Sequence, residues 1–166
     1  MLLTELFSTS DRADTVNLNQ ISGYRYSMDV DGKEGAQKYD IFFRPMHVKG
    51  MVDVNFYLMD GGNLRQDITG SGNQFSVFAG VLMAMRRFVA SNTDVYGLHA
   101  YAAEPSRAKL YVKLMHKLAS QLNAGRPRRW VTAAATDGSI AMIKAHKLGQ
   151  VLPQLQSEDP SWKIYS

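Results

Sequence analysis

Apolar and polar residues alternate in three stretches of the first sixty residues, and this period of two predicts three β-strands. The alternation is clearest at 51–60 and weaker at 22–31 and 38–46. The sequences between these stretches, GKEG and HVKG, are short and rich in turn-forming residues. Connections of this length join antiparallel neighbours, so we expect the three strands to form an antiparallel meander. The residues of the third strand predicted to share one face are Val52, Val54, Phe56 and Leu58.

The spacing of apolar residues changes to three and four from Phe75 onwards, which predicts a helix that ends near Ser91. A strand is predicted at 95–102, where the sequence reads VYGLHAYA. A second helix is predicted over 107–122, because apolar residues recur along one side and the stop signal NAGRP follows. Ser106 comes directly after a proline and is the predicted N-cap of this helix.

The two ends of the chain have less regular patterns. For residues 1–20 we expect a short helix followed by a loop, and for 128–136 a further strand. The stretch 138–148, GSIAMIKAHKL, is predicted to be a short helix. The tail after it is expected to be loosely held, unless its apolar residues such as Trp162 dock on the body of the protein.

The predicted order of the main elements is β-β-β-α-β-α-β. This order is typical of an α+β fold, an α/β sandwich in which a mixed, largely antiparallel sheet is covered by two main helices. A chain of 166 residues suits one domain, so we expect a single domain over 1–166. Its core is expected at about 22–136, followed by a C-terminal helix and tail at 137–166.

Composition narrows the classes of protein that fit. The chain has no cysteine, which excludes disulfides, thiolate metal sites and cysteine nucleophiles. No apolar run reaches the roughly 18 residues that a membrane span requires, and the first residues lack a signal-peptide pattern. We therefore expect a cytoplasmic protein without a membrane partner. The net charge of +4 mildly favours anionic partners, such as a phosphate-bearing cofactor or nucleic acid.

The sequence TGSGN at 69–73 stands between the third strand and the first long helix. Glycines two residues apart let the backbone approach a ligand closely, and the start of a helix presents free N–H groups to an anion. Gly70, Ser71, Gly72 and Asn73 are therefore candidate phosphate-binding residues. A plain turn before a helix explains the same sequence, so both interpretations stay open.

The second predicted helix carries basic residues on its exposed side. Lys109, Lys113, His116 and Lys117 recur at helical spacing, and Arg107 precedes them. Like charges at this spacing destabilise an isolated helix by about 0.2–0.5 kcal/mol per pair, so an anionic ligand is one explanation. A solvated basic face near the helix end is the other. Tyr111 lies on the apolar side, where it is a core residue unless its hydroxyl faces a cleft and acts as a general acid.

The sequence GRPRRW at 125–130 combines arginines with an aromatic residue, as nucleic-acid-binding surfaces do. Three arginines make a small patch, however, and Trp130 is expected to begin a strand and pack inside. The four histidines, at 47, 99, 116 and 146, have no metal-ligand spacing, so no metal site is expected. No nucleophile-elbow sequence of the form GxSxG occurs.

Taken together, the strand meander, TGSGN at 69–73, and SRAKLY at 106–111 resemble the GCN5-related N-acetyltransferase (GNAT) superfamily. The resemblance covers roughly residues 22–136. It implies that Gly70, Ser71, Gly72 and Asn73 hold the pyrophosphate of acetyl-CoA through backbone N–H groups. It further implies that Tyr111 donates a proton to the leaving thiolate while an amine attacks the thioester. Arg107 and Lys109 are candidate cofactor contacts on the same helix.

The chain departs from the family pattern at several positions. The loop is one residue out of register, Glu104 and Arg107 stand where the family has Asn and Ala, and no Gly-Phe pair follows the tyrosine helix. The resemblance predicts an acetyltransferase whose catalytic base has no sequence candidate. The sequence also resembles tailed-bacteriophage proteins with GNAT-like cores. A protein of that kind is expected in the host cytoplasm.

Two alternatives follow from these departures and from the basic residues. In one, the protein is an inactive GNAT-like phage protein that binds a host or virion protein. In the other, it binds RNA or DNA through the basic helix face and the arginines at 126–129.

Overall fold

The computed structural model of the chain describes residues 16–32, 35–60, 63–65, 74–124 and 129–165. The strands are β1 (Val16–Ser22), β2 (Arg25–Gly32), β3 (Gly35–Pro45), β4 (Met51–Asp60), β5 (Asn63–Arg65), β6 (Gly97–Tyr101), β7 (Trp130–Ala134), β8 (Ser139–Lys144) and β9 (Lys163–Ile164). The helices are α1 (Gln74–Ser91), α2 (Pro105–Asn123) and α3 (Leu148–Glu158), the last preceded by the 3₁₀ turn Ala145–Lys147.

The fold is α+β, with three helices and one mixed sheet in the described part of the chain. The strands are hydrogen-bonded in the order β1-β2-β3-β4-β6-β8-β7-β9, and β5 pairs with β4. The β4–β6 pair is parallel, whereas β1–β2, β2–β3, β6–β8, β7–β8 and β7–β9 are antiparallel. The α+β class and the mixed sheet predicted from the sequence are confirmed. The chain divides into two compact units, which are described in turn.

The first unit takes in the described parts of 1–43 and 55–91. Helix α1 packs against β1 and β2. It approaches closely because position 80 is glycine: a Cβ there would lie 2.3 Å from the Met28 sulfur. The core is aromatic, with the rings of Phe43 and Phe88 stacked at 4.1 Å and Tyr26 edge-on to Phe43 at 5.6 Å. Burial raises the pKa of Tyr26 above its ordinary value, and the positive charge of Arg87 offsets part of this rise.

A buried ion pair joins β2 to β3 in the first unit. Arg25 Nη2 lies 2.5 Å from Asp40 Oδ2, and the Asp40 side chain is 1% exposed. Arg25 is 42% exposed, and its guanidinium lies 5.4 Å from the centre of the Phe42 ring. Among the described residues, Arg25 Nε and Asp40 Oδ1 have no hydrogen-bond partner. The guanidinium of Arg25 is therefore the group that compensates the buried negative charge of Asp40.

The second unit takes in 44–54 and the described part of 92–166. Strand β8 is buried on both faces, since Ile140, Ala141, Met142 and Ile143 are each at most 1% exposed. Ala141 and Ile143 belong to a cluster that includes residues of α3. Helix α2 packs on β7 and β8. Because successive side chains of a strand point to opposite faces, Ile140 and Met142 lie on the face opposite to that of Ala141 and Ile143.

The burial of β8 explains why the helix predicted at 138–148 is wrong. Four consecutive apolar residues have no period of two, and a strand covered on both faces needs none. The third helix begins at Leu148, where the predicted one was expected to end. Of the two expectations for the tail, docking on the body of the protein is the correct one for Trp162, which is 5% exposed and belongs to the core cluster that includes residues of α3.

Two further predictions of local structure are corrected. The expected loop over 16–20 is part of β1, which pairs with β2, and residues 1–15 lie outside the described range. The predicted N-cap Ser106 lies inside α2, whose N-cap is Glu104. Pro105 occupies the first helical position, because its fixed φ suits a helix start and its missing N–H needs no partner there.

The side chain of Asn123 closes the connection between α2 and β7. Its Oδ1 accepts hydrogen bonds from the backbone N–H groups of Arg129, at 2.8 Å, and Trp130, at 2.9 Å. Its Nδ2 donates to the carbonyl oxygen of Trp130 at 3.0 Å. One amide thus fixes the first residue of β7 against the last residue of α2.

Candidate functional site

The parallel pair of β4 and β6 is short. Its paired residues are Met51 with Gly97, Val52 with Leu98, and Asp53 with His99. Glycine at 97 lets the strands meet, since a Cβ there would lie 2.5 Å from the Met142 carbonyl oxygen and 2.8 Å from the Met51 sulfur.

Both strands continue beyond the last of these pairs. Strand β4 runs on to Asp60, and β6 runs on through Ala100 to Tyr101. These two residues of β6 pair with β8 on their other side. The Tyr101 side chain is 57% exposed. Among the described residues, the β4–β6 ladder therefore ends two residues before β6 does.

A histidine and an aspartate face each other at the last residue pair of this ladder. His99 Nδ1 lies 2.7 Å from Asp53 Oδ1, and the side chains are 12% and 33% exposed. An ionised carboxylate can only accept hydrogen bonds, so Nδ1 carries the proton and its N–H donates a hydrogen bond to Asp53 Oδ1. This leaves Nε2 as the nitrogen with a lone pair in the neutral ring. The pair is a proton-accepting group oriented by a carboxylate.

The imidazole of His99 also lies near the Trp162 ring. The two ring centres are 6.0 Å apart and the planes are tilted by 51°. Trp162 is held by the turn before it, in which its N–H donates to the Asp159 carbonyl, and by Gln156, whose Nε2 donates to the Trp162 carbonyl at 2.9 Å. Hydrogen bonds from Ser161 lower the pKa of Asp159 in this turn. Trp162, the tail residue that docks on the body, thus lies beside the imidazole.

Tyr111 lies on the second turn of α2 and is partly buried. Burial raises the pKa of its hydroxyl to about 12; the positive charge of Arg107 works against this rise, and Glu104 adds to it. The hydroxyl therefore keeps its proton at neutral pH and is a donor there. This is the protonation state that the predicted role as a general acid requires, although nothing in the geometry assigns that role.

The basic residues at the start of α2 are not all equally available. Arg107 Nε lies 3.4 Å from Glu104 Oε2, an i,i+3 pair across the first turn. Lys109 and Lys113 are exposed, whereas His116 packs edge-on against the Tyr165 ring at 5.3 Å. Arg107 thus has an acidic neighbour across the first turn of α2. Of the candidate cofactor contacts on α2, Lys109 is the exposed one.

Several predicted site residues cannot be placed. Gly70, Ser71, Gly72 and Asn73 lie outside the described residues, as do Arg126 and Arg128. Arg129 is described and exposed, and Trp130 is 8% exposed at the start of β7. The prediction that Trp130 packs inside is confirmed. The phosphate-binding interpretation of the loop stays a prediction.

The described ranges contain no group of three or more His, Asp or Glu side chains that could hold a metal ion. No described helix is long and apolar enough to cross a membrane.

Sequence reasoning missed the pair of Asp53 and His99. The histidines have no metal-ligand spacing, and Asp53 and His99 are 46 positions apart in the sequence. The available signal was a polar residue on each of two predicted strands. Only the register of the parallel pair brings those residues together.

Comparison with known proteins found no match: no protein-family model, no curated protein and no solved structure is similar to this chain.

Proposed function

We propose that the protein is a GNAT-like acyl-CoA-binding protein that transfers an acetyl group from acetyl-CoA to an amine. The order of elements supports this proposal: a strand meander, a helix, a strand parallel to the last of the meander, and a helix that carries Tyr111. The resemblance stated above implies that order. No match to a known protein adds to it, so the proposal depends on the arrangement of the strands and helices.

The short β4–β6 ladder carries the proposal. In the GNAT arrangement these two strands separate and the pantetheine arm of the cofactor lies between them. Here the pairing ends at Asp53 and His99 while β6 continues to Tyr101. A pantetheine arm contains two amide groups in an extended chain, and such a chain can bond to an open strand edge as a peptide does.

The resemblance also assigns roles to residues outside these two strands. The backbone N–H groups of Gly70, Ser71, Gly72 and Asn73 would bind the pyrophosphate, and Tyr111 would protonate the thiolate that leaves. Lys109, being exposed, would contact a phosphate. Arg107 would have to exchange Glu104 for the cofactor.

Calorimetric titration of acetyl-CoA into the purified protein tests this proposal. We expect saturable heat with the wild type and its loss in Gly72→Asp, which places a negative charge where the pyrophosphate would bind. Gly23→Asp is the matched control, since a side chain at Gly23 meets nothing within 4 Å. It should bind acetyl-CoA as the wild type does. No heat from the wild type at millimolar acetyl-CoA would overturn the proposal.

The absence of cysteine makes the transfer reaction easy to follow. Thiol reagents detect only the CoA that is released, because the 166-residue chain has no thiol of its own. The same preparation distinguishes the alternative of nucleic-acid binding. Binding to a DNA or RNA oligonucleotide that weakens steeply with salt, together with no response to acetyl-CoA, would favour that alternative.

A further inference from the structure

We propose that His99 is the general base of the acetyl transfer and that Asp53 is its positioning residue. The inference rests on the proposed function. It assigns the catalytic base, for which the sequence has no candidate. The observation behind it is the contact of 2.7 Å between His99 Nδ1 and Asp53 Oδ1 at the end of the β4–β6 ladder.

The first argument concerns which nitrogen can accept a proton. The carboxylate of Asp53 holds the proton on Nδ1, so the lone pair of the neutral imidazole is on Nε2. When Nε2 takes a proton, the ring becomes an imidazolium beside a carboxylate, and the carboxylate stabilises that charge. The pair thus fixes which nitrogen accepts the proton and places a carboxylate beside the imidazolium that forms, which a histidine alone on a strand would not provide.

The second argument concerns the fixed orientation of the ring. In the row across the sheet, Asp53, His99, Ala141 and Ala133 are successive partners. Ala141 and Ala133 are fully buried, and Trp162 lies against the imidazole. Small neighbours on one side, a carboxylate on the other and an aromatic ring in contact leave the imidazole few orientations. A base held in this way needs little reorganisation when the reaction begins.

The third argument concerns position. His99 is the last residue of β6 that pairs with β4, and the next residues are those whose edge would take the pantetheine arm. The reacting thioester is at the end of that arm. Two other histidines lie elsewhere: His47 pairs with Glu158 at exposed positions, and His116 packs on Tyr165 from α2.

The step balances as follows. The lone pair of the amine nitrogen forms a bond to the thioester carbonyl carbon, and the proton of the resulting ammonium passes to Nε2 of His99. The carbonyl re-forms as the carbon–sulfur bond breaks, and the sulfur leaves as the thiolate of CoA. Tyr111, in its proposed role, gives that thiolate a proton. No oxidant, reductant or further reactant takes part.

Nitrogen NMR of the wild type tests the geometry without any cofactor. We expect neutral His99 to carry its proton on Nδ1, and we expect this preference to be lost in Asp53→Asn. A proton found on Nε2 would overturn the assignment, because no lone pair would then be available at that nitrogen.

Kinetics with acetyl-CoA test the role itself, with spermidine and a lysine-rich peptide as the amine probes. We expect His99→Gln to lower kcat about a hundredfold or more, which is the usual contribution of a general base, and to leave the KM for acetyl-CoA unchanged. The fall in rate towards acid pH, which protonation of such a base produces, should disappear in this variant. His47→Gln is the matched control and should keep both the rate and the pH profile.

Asp53 is tested as a positioning residue. Asp53→Asn should lower kcat about tenfold to a hundredfold, the worth of a hydrogen bond to a charged group. Asp53→Glu should restore part of the rate. A loss that Glu does not restore, or a KM effect without a kcat effect, would overturn the positioning role. The measurements on the Asp53 variants stay informative if His99→Gln fails to fold.

The outcomes separate the two proposals. If the wild type does not bind acetyl-CoA in calorimetry, the proposed function fails and the base assignment fails with it. If acetyl-CoA binds and His99→Gln turns over like the wild type, only the base assignment fails. Binding without release of CoA to either amine also overturns the base assignment, while the acyl-CoA site stands.

Discussion

Two carboxylates in this chain are each paired with a basic side chain from a neighbouring strand, one in each unit. In the first unit Asp40 is 1% exposed and pairs with Arg25. In the second unit Asp53 is 33% exposed and pairs with His99, which is 12% exposed. In the first pair the acid is buried and the base reaches water. In the second the acid reaches water and the base is the more buried partner.

The difference determines what each pair can do. An arginine stays protonated at any pH that a protein tolerates, so the first pair can only compensate a buried charge. An imidazole gains and loses a proton under ordinary conditions, so the second pair can take part in a reaction. We infer that the first pair serves the stability of its unit and that the second serves chemistry. Three measurements of stability test this contrast, and a fourth tests the burial of Tyr111.

The largest effect is expected when the base of the first pair is removed. Arg25→Met leaves the Asp40 carboxylate buried without a counter-charge, and we expect a loss of about 3 kcal/mol in the free energy of unfolding. Urea unfolding followed by circular dichroism measures it. A loss below about 1 kcal/mol would mean that water reaches Asp40 in the variant and that the pair is not structurally important.

The second effect comes from Tyr111, whose pKa is raised to about 12 by burial. The unfolded chain ionises this tyrosine near its ordinary pKa of 10.0, so between pH 10 and 12 the unfolded state binds fewer protons. Stability should therefore fall as the pH rises through this window, by about 2 kcal/mol more than in Tyr111→Phe. Equal pH dependence of the two proteins would contradict the burial of the hydroxyl.

The third effect is the loss of the base from the second pair. His99→Gln leaves Asp53 with enough exposed surface to regain water, so we expect no more than about 1 kcal/mol of destabilisation. Urea unfolding beside Arg25→Met makes the comparison direct. If both variants lose the same stability, the distinction between a structural and a chemical pair fails.

The smallest effect is expected at the surface, where His47 and Glu158 are 66% and 52% exposed. Breaking this pair with His47→Gln should change the free energy of unfolding by about 0.5 kcal/mol or less. The same unfolding measurement tests it. A larger loss would show that exposure is a poor guide to the worth of a histidine–carboxylate pair in this chain.

The sequence predicted those elements whose residues follow a single period. The alternation around Val52 and Val54 correctly indicated β4, and both residues are buried. It failed at Ile140–Ile143, because a strand covered on both faces has no polar side to reveal it. Ser106 has the residue type of an N-cap, whereas Pro105 occupies the first helical position and the N-cap is Glu104, two residues earlier.

The candidate site was less predictable than the fold. Tyr111, Arg107 and Lys109 could be selected because one helix brings them together in sequence. Asp53 and His99 could not, because their meeting depends on the register between two strands that are parallel and separated by a helix. Register of this kind is set by packing on both strands, and a single sequence gives no local sign of it.

The hydrogen bonds of the Asn123 side chain have a practical consequence for engineering the chain. Because its amide ties Arg129 and Trp130 to the end of α2, the strand start is held by that contact and not by the length of the connection. Each doubling of a flexible connection adds only about 0.6 kcal/mol of closure entropy. An affinity tag or a fluorescent reporter inserted between Ala124 and Arg129 should therefore leave the second unit folded.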